Sequence, residues 1–142
     1  MAINMASDSN LENNVVLNTA NNALSGQPVQ VNELIGTVET PENASDDSVV
    51  NVQSGARYYH SVRNVRTYND SDGGELTWGA IAQGAYIYYD SSPALNLLGI
   101  YLSTSPLNSA GVANKLFGKA ITASVIAIAN TSLEHEVMHV QI

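Results

Sequence analysis

The chain has 142 residues, 44% of them apolar, with 13 acidic and 5 basic side chains, a formal net charge of −8 and no cysteine. One domain of this length buries about two-thirds of its unfolded surface, and no apolar run approaches the roughly 20 residues a membrane helix needs. Without cysteine there are no disulfides, thiolate chemistry or Cys-ligated metal, as suits a reducing cytoplasm; the charge balance repels phosphate backbones, so nucleic acid is not the expected partner.

The N-terminus, MAINMASDSN, lacks a basic region followed by an apolar one, so a cleaved secretory signal is not expected. Residues 1–13 are polar and without periodicity, and are expected to form an extended arm that is flexible when free. Residues 14–142 are expected to form one β domain. Acidic residues dominate the first fifty positions: Asp8, Glu12, Glu33, Glu39, Glu42, Asp46 and Asp47 occur there, and the five cations Arg57, Arg63, Arg66, Lys115 and Lys119 all follow. That asymmetry points to a protein surface as partner.

From Val15 onward short β-type runs alternate with turn residues: VVLNT, PVQVN, ELIGTVET, VVNVQ, RYYHSV, GAYIYYD, LLGIYLS, KLFGKAIT, SVIAIAN and EVMHVQI. Period-two alternation puts Val29 with Val31, and Val50 with Val52, on one face of a strand. Ser92 and Pro93 could open a short helix, but Gly99 and the β-branched and aromatic residues around it favour a strand. An internal echo joins Ser25-Gly26-Gln27-Pro28 and the run after it to Gln83-Gly84-Ala85-Tyr86 and its run. Embedded glycines such as Gly36, Gly99 and Gly118 mark bulges or close backbone approaches. The expected fold is all-β, a compact sandwich or barrel.

Several motifs invite a chemical reading. His135-Glu136-Val137-Met138-His139 matches the zinc pattern H-E-x-x-H, which works only on a helix that sets the two histidines one turn apart. Three residues follow it, no helix-forming run precedes it, and His60 is the only other histidine, so a closing edge strand is favoured and no metal or cofactor is expected. Asp70-Ser71-Asp72-Gly73-Gly74-Glu75 resembles the start of a calcium loop but lacks its later ligands, which favours a polar hairpin. Asn43, Asn69 and Asn130 head glycosylation-type triplets, taken as chance matches. No nucleophile with a base can be assembled, so no catalytic residue is assigned and an enzyme is not expected. Tyr58, Tyr59, His60, Arg63, Arg66 and Tyr68 form the one aromatic and basic cluster, and Arg57, Tyr58, Tyr59, Arg63 and Arg66 are expected at a protein interface. Ile3, Met5 and Leu11 are the apolar residues by which the arm would contact a partner.

The order VVLNTANNALSGQPVQVNELIGTVET, WGAIAQGAYIYYD, KLFGKAIT and EVMHVQI resembles the head decoration, or capsid cement, proteins of tailed phages. The likeness runs from about Val15 to Ile142. The chain departs from it at NSAGVANKL, in the Tyr-rich stretch 58–68, and in its acidic Asn-rich leader. The resemblance implies a β-tulip type domain and a structural virion protein on the capsid exterior. It would be a homotrimer bound to the major capsid protein of the expanded shell, which it would stabilise, with no membrane or nucleic-acid partner. A head-fibre base or tail component is the alternative, and a zinc hydrolase using HEVMH is a more distant one.

Overall fold

The structure, a computed structural model, describes residues 14–19, 23–41, 43, 45–67, 75–76, 81–122 and 133–141. Its strands are β1 (Asn14–Asn18), β2 (Pro28–Val31), β3 (Leu34–Thr40), β4 (Asp47–Asn51), β5 (Arg57–Arg63), β6 (Val65–Thr67), β7 (Glu75–Leu76), β8 (Tyr86–Tyr89), β9 (Leu102–Ser103), β10 (Lys115–Ala120) and β11 (Leu133–His139). One helical turn, α1 (Pro93–Asn96), stands between β8 and β9. The expected leader of residues 1–13, the run SVIAIAN and the triplet at Asn130 lie outside the described residues.

Two sheets carry the fold. The first is antiparallel with order β1-β4-β3-β2; the second closes into a five-stranded barrel, β10-β11-β5-β9-β8. Every neighbouring pair of the barrel is antiparallel except β5 and β9, which run parallel over two register pairs. β6 and β7 form a separate antiparallel ribbon, so the acidic stretch before Glu75 connects two paired strands, while residues 68–74 themselves are outside the described residues.

Three glycine turns start three of these strands, and all use the same main-chain pattern. In each, a glycine with φ between +81° and +93° follows a turn residue, as at Ser25-Gly26, Ser54-Gly55 and Gln83-Gly84. The glycine N–H donates to a carbonyl on a neighbouring strand, and that same partner residue donates back to the residue after the glycine. Gly26 and Gln27 meet Val38 in this way, Gly55 and Ala56 meet His139, and Gly84 and Ala85 meet Ala120. This is a bulge that needs its first residue in the left-handed region, where a side chain is disfavoured. The sequence echo between the first and third copies therefore has a backbone cause, which the middle copy, Ser54-Gly55-Ala56 leading into β5, shares.

Gly36 and Gly118 serve close approach instead. A Cβ on Gly36 would meet the Asn51 carbonyl oxygen at 2.5 Å, and one on Gly118 would strike the Met138 carbonyl. Gly99 differs from the expectation of an embedded strand glycine: it has φ +75° in the turn after α1. The expected strand over residues 97–103 is therefore shortened to Leu102–Ser103 and preceded by a helical turn. Pro93 at its start fixes φ for the helix, and that local preference prevails over the β-prone residues around Gly99.

Ile35, Val62, Ile81, Ile87, Leu102, Phe117, Ala120 and Val137 fill the barrel core, and Ala23, Val29, Val38 and Val50 a second cluster under the sheet. Val52 packs against the second cluster beside Val50, as their shared face requires. Each large aliphatic side chain buried in this way contributes about 1.5–3 kcal/mol. Ile35 is a residue of β3 packed into the barrel core, so the two sheets share apolar cover. Gln141 adds polar ties between them, donating from Nε2 to the Val52 and Ile35 carbonyls.

Candidate functional site

His135, Glu136, Val137, Met138 and His139 lie on β11 rather than on a helix. Four residues of strand separate the two histidines by about 13 Å, whereas a helix would bring them within about 6 Å along its axis. The zinc geometry of H-E-x-x-H is thus not formed. The strand alternates as its sequence suggested: His135, Val137 and His139 are buried, and Glu136 and Met138 are half-exposed. It is not the edge strand expected, because β10 and β5 pair with it on its two sides. Closure of the barrel is a long-range property that alternation alone does not encode.

The buried face of β11 meets β5, where His60 stands opposite His135 in register. The inner wall of the barrel therefore holds all three histidines of the chain, each at most 3% exposed. Thr37 of β3 joins two of them, with its Oγ1 2.9 Å from His60 Nε2 and 2.8 Å from His139 Nε2. His139 Nδ1 lies 3.2 Å from the Gln53 carbonyl oxygen, which can only accept. One chain of donors follows: His139 Nδ1–H donates to Gln53, the Thr37 hydroxyl donates to His139 Nε2, and His60 Nε2–H donates to the Thr37 oxygen. Both imidazoles are neutral in this scheme, as opposite tautomers. The ring of Tyr58 stacks on His139 with centroids 5.3 Å apart and on His60 at 6.0 Å, while Phe117 meets both edge-on at 5.2 and 5.6 Å.

Burial agrees with neutrality. Desolvation, reinforced by His139, pulls His60 down to about 3, and desolvation pulls His139 down to about 4. His135 is lowered by burial as well. Tyr58 is raised to about 12, first by burial and then by its hydrogen bond to Glu39, to which its hydroxyl donates while accepting from Asn51 Nδ2. The cluster is thus a set of neutral hydrogen-bonding rings between sheet and barrel. Among the described residues no group of three His, Cys, Asp or Glu side chains is placed to hold a metal ion.

A second buried polar cluster was not anticipated. Asp90, at the end of β8, is fully buried, and three donors converge on its carboxyl group. Ser92 N–H and Ser92 Oγ–H reach Oδ1 at 2.9 and 2.6 Å, and Ser103 Oγ–H reaches Oδ2 at 2.6 Å. Asp90-Ser91-Ser92-Pro93 carries the local signal for such a turn, an Asp side chain bonding the main chain two residues on. The reach to Ser103 on β9 is tertiary. Ser92 precedes α1 as its cap residue, but its hydroxyl serves Asp90 instead of the helix.

The expected interface residues separate. Arg57 is exposed and pairs with Glu136 at 3.5 Å, an arrangement worth little in water. Tyr59 is 69% exposed. Tyr58 is half-buried and committed to the histidine cluster. Arg63 corrects the expectation: it is 2% exposed, because packing covers the far end of β5 on both faces. Arg66 belongs to β6, but its side chain, like Ile3, Met5 and Leu11, lies outside the described residues.

Compared with protein-family models, curated proteins and solved structures, the chain matches none.

Proposed function

We propose that this chain is a structural β protein that binds the outside of an expanded phage capsid and stabilises it, as a head decoration or cement protein of the β-tulip type. The observation that carries the reading is the division of the molecule's chemistry. His60, His139 and Asp90 are occupied by hydrogen bonds inside the fold and His135 is buried, while Val16, Leu24, Tyr59, Tyr86, Leu97, Leu98 and Val112 are large apolar side chains left exposed. Exposed aromatic and apolar groups suit docking to protein. The sequence likeness described above supplies the partner, the major capsid protein, and the homotrimer as the unit that binds it.

Many modest contacts repeated over a lattice stabilise a shell by mass action without catalysis. The leader, with Ile3, Met5 and Leu11, would extend such contacts to a neighbour by strand addition. Add-back of purified protein to undecorated expanded shells, followed by sedimentation, tests the reading. Saturable binding that the unexpanded precursor does not show is expected. Absence of binding to either shell form would overturn it, and self-assembly into fibres or tubes without a shell would transfer the protein to the head-fibre or tail class.

A further inference from the structure

The strand β5 is paired unequally on its two sides. Toward β11 the register runs without a break from Arg57 to Val62, but toward β9 it holds only Val62 with Leu102 and Arg63 with Ser103. Continued backward, the parallel register would place Tyr101 beside Ser61 and Gly99 beside Tyr59. The chain goes elsewhere. Because Thr104 N–H bonds the Arg63 carbonyl, Ile100 N–H would by alternation also face β5, but it donates to Leu95 in α1, while the Tyr101 carbonyl continues the β8–β9 ladder by accepting from Asp90 N–H at 2.7 Å. Residues 99–101 are thereby drawn away from β5, and the barrel wall opens into a cleft of about 300 Å³ between Tyr59 and Ser61 on one side and Gly99 and Tyr101 on the other, with Leu24 and Gly26 of the sheet along its rim.

The main-chain alternation of β5 decides what faces this cleft. His139 N–H bonds the Ala56 carbonyl, and Thr104 N–H bonds the Arg63 carbonyl. Even-numbered positions of the strand therefore turn their N–H and C=O groups toward β11, and odd-numbered positions turn theirs toward β9. Tyr59 N–H and C=O and Ser61 N–H point into the opening, where no described strand pairs with them. The lining carries no Asp, Glu, Lys or Arg. A Cβ added to Gly26 or Gly99 would meet nothing within 4 Å, so the space beside both is open. Leu24 and Tyr59 stand exposed at the mouth.

We propose that this split in the barrel wall accepts an extended, uncharged segment of another protein chain, which adds as a short strand along the free edge of β5 at Tyr59 and Ser61. Strand addition obtains its affinity from main-chain hydrogen bonds and its selectivity from where alternate side chains fall. Here the alternate side chains would lie over Leu24 and Tyr59, and the uncharged lining would leave a carboxylate or ammonium without a counter-charge. Residues of a strand advance about 3.3 Å each, so the edge from Tyr59 to Ser61 engages two or three residues of the guest. The inference does not depend on the capsid reading, and its test uses no shell.

The probe is a capped pentapeptide of alternating threonine and valine, titrated to millimolar concentration into the full chain while backbone amide spectra are recorded. Saturable shifts centred on Tyr59 and Ser61 are expected, with at least tenfold slower amide exchange at both. The same peptide N-methylated at alternate residues is expected to bind at least tenfold more weakly, as is a version with glutamate in place of threonine. L24K and Y59K, both at exposed positions, should weaken binding without changing the spectrum of the barrel core. Equal binding of the N-methylated peptide would overturn the proposal, as would shifts located elsewhere or no shift at all. So would a response of the same amides to maltopentaose but not to peptide, or to protein concentration alone, the latter making the occupant a second copy.

Discussion

The two buried polar clusters solve the same problem with opposite chemistry. At the junction of sheet and barrel, Thr37 holds two imidazoles from different strands, and the cluster is neutral because both rings have been stripped of water. Between β8, α1 and β9, Asp90 gathers hydroxyl and amide donors onto one acceptor group. The first cluster makes docking of the two sheets conditional on the rings remaining unprotonated. The second ties a local turn to β9 through Ser92 and Ser103. The H-E-x-x-H peptide, whose spacing belongs to metal chemistry on a helix, here supplies one member of the first cluster.

The largest expected effect comes from the carboxylate. Asp90→Ala leaves the Ser92 N–H, the Ser92 hydroxyl and the Ser103 hydroxyl, among others, without their acceptor and should cost about 4 kcal/mol, at one or more kcal/mol per stranded group, read by chemical denaturation. Acid acts next, on the histidine cluster. Both folded-state values lie below the ordinary 6.5, so the unfolded chain binds more protons as pH falls, and the histidine contribution is fully present above about 6.5 and lost progressively below it. Between pH 7 and pH 5 the loss should be just under about 4 kcal/mol, from two rings each losing up to 1.36 kcal/mol per unit over roughly the 1.5 pH units below 6.5. Denaturation midpoints across that range check it; the H60N/H139N double variant, less stable throughout, should show a clearly flatter dependence.

Thr37→Val, which keeps the shape and removes the bridging hydroxyl, should cost about 2 kcal/mol and let the two rings titrate independently. Tyr58→Phe retains the stacking and releases Glu39 and Asn51 to water, so a loss of about 1 kcal/mol or less is expected. A Tyr58 variant as damaging as the Thr37 variant would break the comparison, because the junction would then rest on the phenol rather than on the shared hydroxyl.

The sequence made the strands legible where alternation and turn chemistry agreed. Val29 and Val50 are buried with Val52 packed beside them, whereas Val31 is half-exposed, and the glycines at 26, 36, 84 and 118 marked real bulges or close approaches. It was less informative wherever distant chain decided the outcome. Arg63 follows the alternation of Arg57 and Tyr59, yet tertiary packing covers it. The strand expected around Gly99 yielded to the helical turn at Pro93, whose Leu95 carbonyl takes the Ile100 N–H. Thr37, the centre of the histidine cluster, sits in a run that reads only as β-prone. Its partners lie 23 and 102 residues away, separations that no local pattern conveys.

Imidazole nitrogen spectra of the full chain, recorded from pH 7.5 to 5 with and without stoichiometric zinc, bear most directly on the claim that the histidines of HEVMH and His60 are parts of the fold. The account predicts His60 as the Nε2–H tautomer and His139 as the Nδ1–H tautomer, both neutral throughout and unchanged by zinc. Either ring titrating near 6.5, or a zinc-dependent shift shared by His135 and His139, would contradict it.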